Sequence, residues 1–107
     1  MTLSELCFHL RKRRGMYLPD ERFASAVAFV EGFNQALDGV PLEGFGVFVS
    51  RRLTGGESPV HWSHLIARTA VPDVRLDRIP AEAEAELTET LVDLLEEYDR
   101  GIRTPAR

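Results

Sequence analysis

Arg11-Lys12-Arg13-Arg14-Gly15-Met16-Tyr17-Leu18-Pro19, followed by the amphipathic run from Asp20 to Gly39, is the stretch that decides the fold. Four cations in the last turn of a helix interact favourably with the helix dipole. Gly15 is a residue type that commonly ends a helix, and Pro19 disfavours helix at the residue before it. We therefore predict a helix that ends at Gly15, a short extended link through Leu18, and then a long second helix.

The first helix is expected to begin at Leu3, because Thr2 and Glu5 have the spacing of a capping box. Its apolar face recurs at helical spacing, at Leu3, Leu6, Cys7 and Leu10. The second helix is expected to be capped by Asp20 and closed by Gly39, with Pro41 preventing its continuation. Its apolar stripe is wide, which indicates the central helix of the bundle. The stripe comprises Phe23, Ala26, Val27, Phe29, Val30, Phe33 or Asn34, and Leu37.

Residues 42–53 fit two patterns. Leu42, Phe45, Val49 and Leu53 have helical spacing, whereas Phe45, Val47 and Val49 alternate as in a strand. We favour helix, since the stretch from Arg51 to Gly56 is typical of a helix end.

Two further helices are predicted toward the C-terminus. Ser58-Pro59 has the form of a cap followed by a proline at the first helical position, and it places Trp62 on a buried face. Residues 70–79 are expected to form a loop. Pro80 should open the last helix and Gly101 should end it. The buried face of this helix is predicted to contain Leu87, Leu91, Leu94, Leu95 and Tyr98.

These elements predict the all-α class, as a compact bundle of four to five helices. With 107 residues the chain is large enough for one core. We expect a single helical domain over residues 1–100 and a flexible C-terminal tail over residues 101–107.

Composition limits the classes of function. The chain has 13 basic and 17 acidic side chains, and a net charge of −4 does not favour nucleic-acid binding. No apolar run is long enough to span a membrane. A single cysteine and the lack of a signal-peptide pattern are typical of the cytoplasm, and twelve arginines beside one lysine suggest a GC-rich bacterial genome.

We find no pattern for catalysis, for a cofactor or for a metal. Glu31 and Asn34 follow a basic Gly-Met-Tyr turn, which is similar to the start of the gyrase-type ATPases. Their spacing is one residue too short for that family, and its downstream glycine segment is absent. His61 and His64 are three residues apart and lack a third ligand. Cys7 lies on an apolar helix face, so core packing is expected.

Two charged surfaces are the candidate partner-binding residues. Arg11, Arg13 and Arg14 with Tyr17 offer cations beside an aromatic ring. The last helix offers an acidic face, expected to point mostly to solvent, from which Glu89, Asp93 and Glu96 are the candidates. The whole acidic face is Glu82, Glu86, Glu89, Asp93, Glu96 and Glu97.

The order of motifs resembles a family of small bacterial all-helical, immunity-protein-like proteins. The similarity covers nearly the whole chain, although Arg14 stands where proline is usual. The resemblance implies an immunity-type protein found beside a toxin gene, and it brings no catalytic residues. It is carried by Arg11–Tyr17, Gly32-Phe33, Phe45–Leu53, His61-Trp62 to Ile66, and Leu91–Tyr98.

We therefore interpret the chain as a non-enzymatic protein-binding domain with an unidentified protein partner, of which toxin neutralisation is the specific form. Two alternatives remain. One is a small-ligand-binding helical module in a biosynthetic or resistance cluster, using the region of Tyr17 and Trp62. The other is a gyrase-like nucleotide-binding fragment.

Overall fold

The chain is all-helical, as predicted, in a computed structural model that describes residues 1–71 and 79–103. Within those ranges there is no strand, and four of the helices are seven residues or longer. The additional short helices bring the number above the expected four to five. The six helices of the described ranges are α1 (Leu3–Lys12), α2 (Arg14–Tyr17), α3 (Phe23–Ala36), α4 (Phe45–Thr54), α5 (Trp62–Ala67) and α6 (Ala81–Arg103).

The basic segment is more helical than predicted. The capping box of Thr2 and Glu5 starts α1 as expected. However, α1 ends at Lys12, and only Arg13 leaves the helical conformation before α2 begins. The extended link predicted for residues 16–18 was wrong, since Met16 and Tyr17 belong to α2 and only Leu18 is extended. The chain therefore turns at Arg13, and Met16 and Tyr17 stay close to α1.

The start of α3 depends on a contact from a distant part of the chain. Asp20 does not cap the helix; its carboxylate accepts hydrogen bonds from the Arg22 backbone N–H and the Ser25 hydroxyl instead. Helix α3 begins at Phe23, whose N–H donates to the buried carboxylate of Glu84 on α6. An anion at this position also complements the helix dipole. The predicted Asp20 cap was therefore wrong.

Residues 42–53 form a helix, which confirms the favoured alternative. Gly44 precedes α4 with a φ of 89°, a left-handed conformation that glycine adopts without strain. Gly55 closes the helix in the same conformation, and its N–H donates to the Arg51 carbonyl. These two glycines allow a short helix between sharp turns.

Helix α5 begins later than Ser58-Pro59, where it was predicted. Its N-cap is His61, whose Nδ1 accepts a hydrogen bond from the Ser63 N–H at 3.2 Å. Ser58 instead accepts the Val60 N–H within the preceding turn. The first residue of α5 is Trp62, which is buried as expected.

Helix α6 is the central element of the bundle, whereas the sequence predicted that α3 would be. It begins after Pro80 as predicted, and it packs against α1, α3, α4 and α5. It continues through Gly101 to Arg103, beyond the predicted end, while residues 104–107 and most of the predicted loop 70–79 lie outside the described ranges. Its predicted face is buried at Leu87, Leu91, Leu94, Leu95 and Tyr98.

An aromatic cluster fills the core where α4, α5 and α6 meet. The Phe45 ring makes edge contacts with Trp62 at 5.2 Å and with Tyr98 at 5.3 Å between ring centroids. The Tyr98 hydroxyl donates to the Glu43 carbonyl, which fixes the turn before α4 to α6.

Among the helices of residues 1–71 and 79–103, none is both long and apolar enough to cross a bilayer.

We predict that Phe45→Ala lowers the free energy of unfolding by about 3–5 kcal/mol, because the ring is fully buried and its removal leaves a cavity. Phe8→Ala removes the same group from an exposed position of α1 and should cost below about 1 kcal/mol. Urea unfolding of both variants is the measurement. Equal losses would contradict the placement of Phe45 in the core.

Candidate functional site

The basic segment is divided between the interior and the surface. Arg11 and Arg14 are three residues apart and reach the same side of the molecule, toward α6. Arg11 donates through Nη1 to Glu89 and through Nη2 to Asp93 and Glu96, each at 2.7 Å. Its guanidinium therefore joins three successive carboxylates of α6, spaced i, i+4 and i+7 along one side of that helix.

Arg14 completes the same cluster. Its Nη2 donates to Glu89 at 2.6 Å, and its Nε donates to the Leu10 carbonyl at 3.0 Å near the end of α1. The side chain is only 16% exposed. Arg14 thus neutralises a carboxylate and satisfies a helix-end carbonyl that lacks an intrahelical partner.

We call Arg11, Arg14, Glu89, Asp93 and Glu96 the ionic cluster. Hydrogen bonds to Glu96 and Asp93 raise the pKa of Arg11 above its ordinary value, so the guanidinium stays charged. The expectation that this acidic face points mostly to solvent holds for Asp93, whose side chain is 69% exposed, whereas Glu89 and Glu96 are partly buried; all three bind Arg11. Five of the seven candidate partner-binding residues therefore contact one another.

The other two cations of the segment point away from the ionic cluster. Lys12 and Arg13 are exposed, and neither makes an ion pair with a carboxylate in the part of the chain that the structure describes. The Arg13 guanidinium lies over the Phe8 ring, 5.6 Å from its centroid, at cation–π distance. These cations are the part of the segment that is free to meet another molecule.

Beside them lies a surface of large apolar side chains. Met16 is 74% exposed, Phe8 48% and Tyr17 37%. The ring of Tyr17 packs between His9, at 4.7 Å, and Phe29 of α3, at 5.6 Å between centroids, and Phe8 contacts His9 in turn. We call Phe8, Met16, Tyr17 and Phe29 the aromatic–methionine surface.

The candidate nucleotide residues have structural contacts. Glu31 accepts a hydrogen bond from the Trp62 indole at 3.1 Å and lies 3.4 Å from His61 Nε2, so it joins α3 to α5. Asn34 accepts the Leu42 N–H at 3.0 Å and holds the turn after α3. The Glu31 side chain is therefore a link between two helices, and 34% of it is exposed.

The histidines and the cysteine form no cluster with other ligands. In residues 1–71 and 79–103, no group of three or more histidine, cysteine, aspartate or glutamate side chains is placed to hold a metal ion. Cys7 is buried on the apolar face of α1, as predicted. Burial is the main reason that the pKa of its thiol rises to about 12.

A shallow hollow of about 440 Å³ lies on α4. Its apolar part is Val47 and Phe48, and two arginines stand beside it. Arg51 pairs with Glu57 at 3.0 Å and Arg52 with Glu97 at 3.2 Å, so both cations already have a carboxylate. The region of Tyr17 and Trp62, considered for a small ligand, is not one aromatic group: the rings that contact Trp62 are Phe45 and His61.

Three functional residues were not predicted from the sequence: Phe8 and Met16, which are exposed, and Glu84, which caps α3. Phe8 lies opposite the apolar stripe of α1, so its position in the helix already indicated an exposed ring. Glu84 lies among alanines in the first turns of α6 and gives no such signal. Its role depends on where α3 begins, which local sequence does not encode.

Comparison of the chain with protein families, with curated proteins and with solved structures gave no match.

We predict that the four cations of the basic segment differ in their effect on stability. Arg11→Ala and Arg14→Ala should each lower the free energy of unfolding by about 1–3 kcal/mol, because each removes charge-assisted hydrogen bonds that are partly shielded from water. Lys12→Ala and Arg13→Ala should change it by less than about 0.5 kcal/mol. Thermal and urea unfolding of the four variants test this, and four equal losses would contradict the division.

We also predict that Cys7 reacts slowly with a disulfide reagent at pH 8 in the folded protein. The thiolate is the reactive form, and a pKa of about 12 leaves very little of it. In denaturant, where the thiol has its ordinary pKa, the same chain should react at the rate of free cysteine. Equal rates in both conditions would show that Cys7 is accessible.

Proposed function

We propose that this chain is a non-enzymatic protein-binding domain, and that it contacts its partner through the aromatic–methionine surface. The observation that carries the proposal is the exposure of Phe8 and Tyr17, whose rings are connected through His9, together with the exposed Met16 that precedes Tyr17 in α2. Single exposed apolar residues are ordinary, but a connected group of this kind is typical of an interaction site.

The composition of the surface supports a protein partner. Aromatic residues, methionine and arginine are enriched in the buried centres of protein interfaces. The Tyr17 ring is already held between His9 and Phe29, so that burying it under a partner would cost little side-chain entropy. Met16 is flexible and adapts to the shape of the surface opposite.

In the immunity-type form of this proposal the partner is a toxin, and the acidic face of α6 is one of the two charged surfaces that the sequence offers for the contact. Its carboxylates at Glu89, Asp93 and Glu96 bind Arg11, and this favours a contact on the opposite side of the basic segment. We therefore place the contact at the aromatic–methionine surface, and the partner remains a protein.

The hollow on α4 supports small-ligand binding as a second candidate function. Val47 and Phe48 offer apolar contact, and the two arginines offer charge to an anionic group. The hollow is open, and both arginines are paired, so an anion would compete with Glu57 and Glu97. The aromatic–methionine surface needs no such exchange, which is why we favour protein binding.

Photo-crosslinking from the two surfaces tests the proposal. A photo-reactive amino acid at position 16 should capture a defined protein in cells of the source organism, whereas the same group at position 47 on α4 should not. The captured protein is then purified, and its Kd for the wild-type chain and for the Phe8→Ser/Met16→Ser variant is measured by calorimetry. We expect the variant to bind about thirtyfold more weakly, the scale of losing an interface hot spot.

Val47→Ser is the matched control, because Val47 is also an exposed apolar side chain. Circular dichroism and thermal unfolding establish that each variant is folded. No capture from position 16, or equal affinity of the wild type and the Phe8→Ser/Met16→Ser variant, would contradict the proposed function.

A further inference from the structure

We propose that the segment bound at the aromatic–methionine surface is an acidic, apolar peptide, whose carboxylates meet Lys12 and Arg13. This inference rests on the proposed function and adds the chemistry of the partner to it. The observation behind it is the division of the basic segment: Arg11 and Arg14 bind α6, whereas Arg13 lies over the Phe8 ring and Lys12 follows Phe8 by four residues on the same side of α1.

The charge of this surface is not balanced within the chain. Arg11 and Arg14 are balanced by the carboxylates of α6. Lys12 and Arg13 have no ion pair among residues 1–71 and 79–103, and Arg13 lies over the ring of Phe8. A partner that covers Phe8 and Met16 must therefore approach two positive charges. Carboxylates beside its apolar residues would complement them, whereas cations would be repelled.

Phe8 and Arg13 also define the geometry of the contact. The guanidinium lies 5.6 Å from the ring centroid. One segment of a partner can therefore place an apolar group on the ring and a hydrogen-bond acceptor at the guanidinium. Among the described residues, the Arg13 guanidinium donates no hydrogen bond. A planar fork of free donors is suited to bidentate binding of a carboxylate.

An anionic lipid surface has similar chemistry, but the structure favours a peptide. Lipid-binding clusters usually contain about four to eight lysines and arginines, and here two of the four cations in the segment are already paired. The net charge of −4 would also repel an anionic membrane. A peptide needs charges only where the two cations stand.

Two synthetic helical peptides test the inference. They share the same leucine and phenylalanine positions; one carries glutamates on its polar side and the other lysines. Their Kd values for the full chain are measured by fluorescence anisotropy at low and at physiological salt. We expect the acidic peptide to bind about tenfold more tightly than the basic one, the scale of two exposed ion pairs, and salt to reduce the difference.

Lys12→Glu/Arg13→Glu should reverse the preference. Arg51→Glu/Arg52→Glu makes the same charge change on α4 and should preserve it. The inference is overturned if the basic peptide binds as tightly, if neither peptide binds, if Arg51→Glu/Arg52→Glu has the larger effect, or if vesicles of anionic phospholipid bind and depend on Lys12 and Arg13.

The Phe8→Ser/Met16→Ser variant separates this inference from the proposed function. Loss of binding of both peptides in that variant, without any charge preference in the wild type, would refute the acidic partner and leave the surface assignment standing. A charge preference that persists in that variant would show binding by the cations alone, which would refute the aromatic–methionine surface as the contact.

Discussion

The contact of Arg11 with three carboxylates of α6 is the constraint on which the arrangement of the N-terminal half depends. Helix α6 is the element against which α1, α3, α4 and α5 pack. The angle at which α1 packs on α6 therefore determines which side chains of the basic segment are exposed. Arg11 and Arg14 direct one side of this segment to α6. The other side, with Lys12, Arg13 and Met16, is thereby turned to solvent. One ionic cluster thus stabilises the fold and defines the exposed surface.

Local sequence predicted most of the helices and the buried face of α6, because apolar spacing and the Thr2 capping box act over a few residues. It failed where the partner is distant in the chain. Asp20 had the form of a cap, but Glu84 is the group that meets the start of α3. The carboxylates of α6 had the pattern of a solvated face, and nothing local showed that Arg11, about 80 residues earlier, binds them. Such pairs depend on helix packing, which spacing alone does not encode.

The candidate site was predictable in part for the same reason. The sequence indicated charged surfaces and drew attention to Arg13 and Tyr17, both of which lie at or beside the aromatic–methionine surface. It did not separate the four consecutive cations, since their roles differ only through the direction in which α1 carries each one. The same packing gives Glu31 and Asn34, which are similar to catalytic residues in the sequence, contacts that hold α3 to α5 and to the turn before α4.

The most direct test of this arrangement is a double-mutant cycle between Arg11 and Glu96, with the free energy of unfolding as the measured quantity. Arg11→Ala, Glu96→Gln and the double variant are compared with the wild type. If the two side chains bind each other, the losses are not additive, and we expect a coupling of about 0.5–2 kcal/mol that decreases with added salt. Losses that add within about 0.3 kcal/mol would show that Arg11 and Glu96 do not bind each other and would contradict the contact of Arg11 with all three carboxylates, on which the division of the basic segment depends.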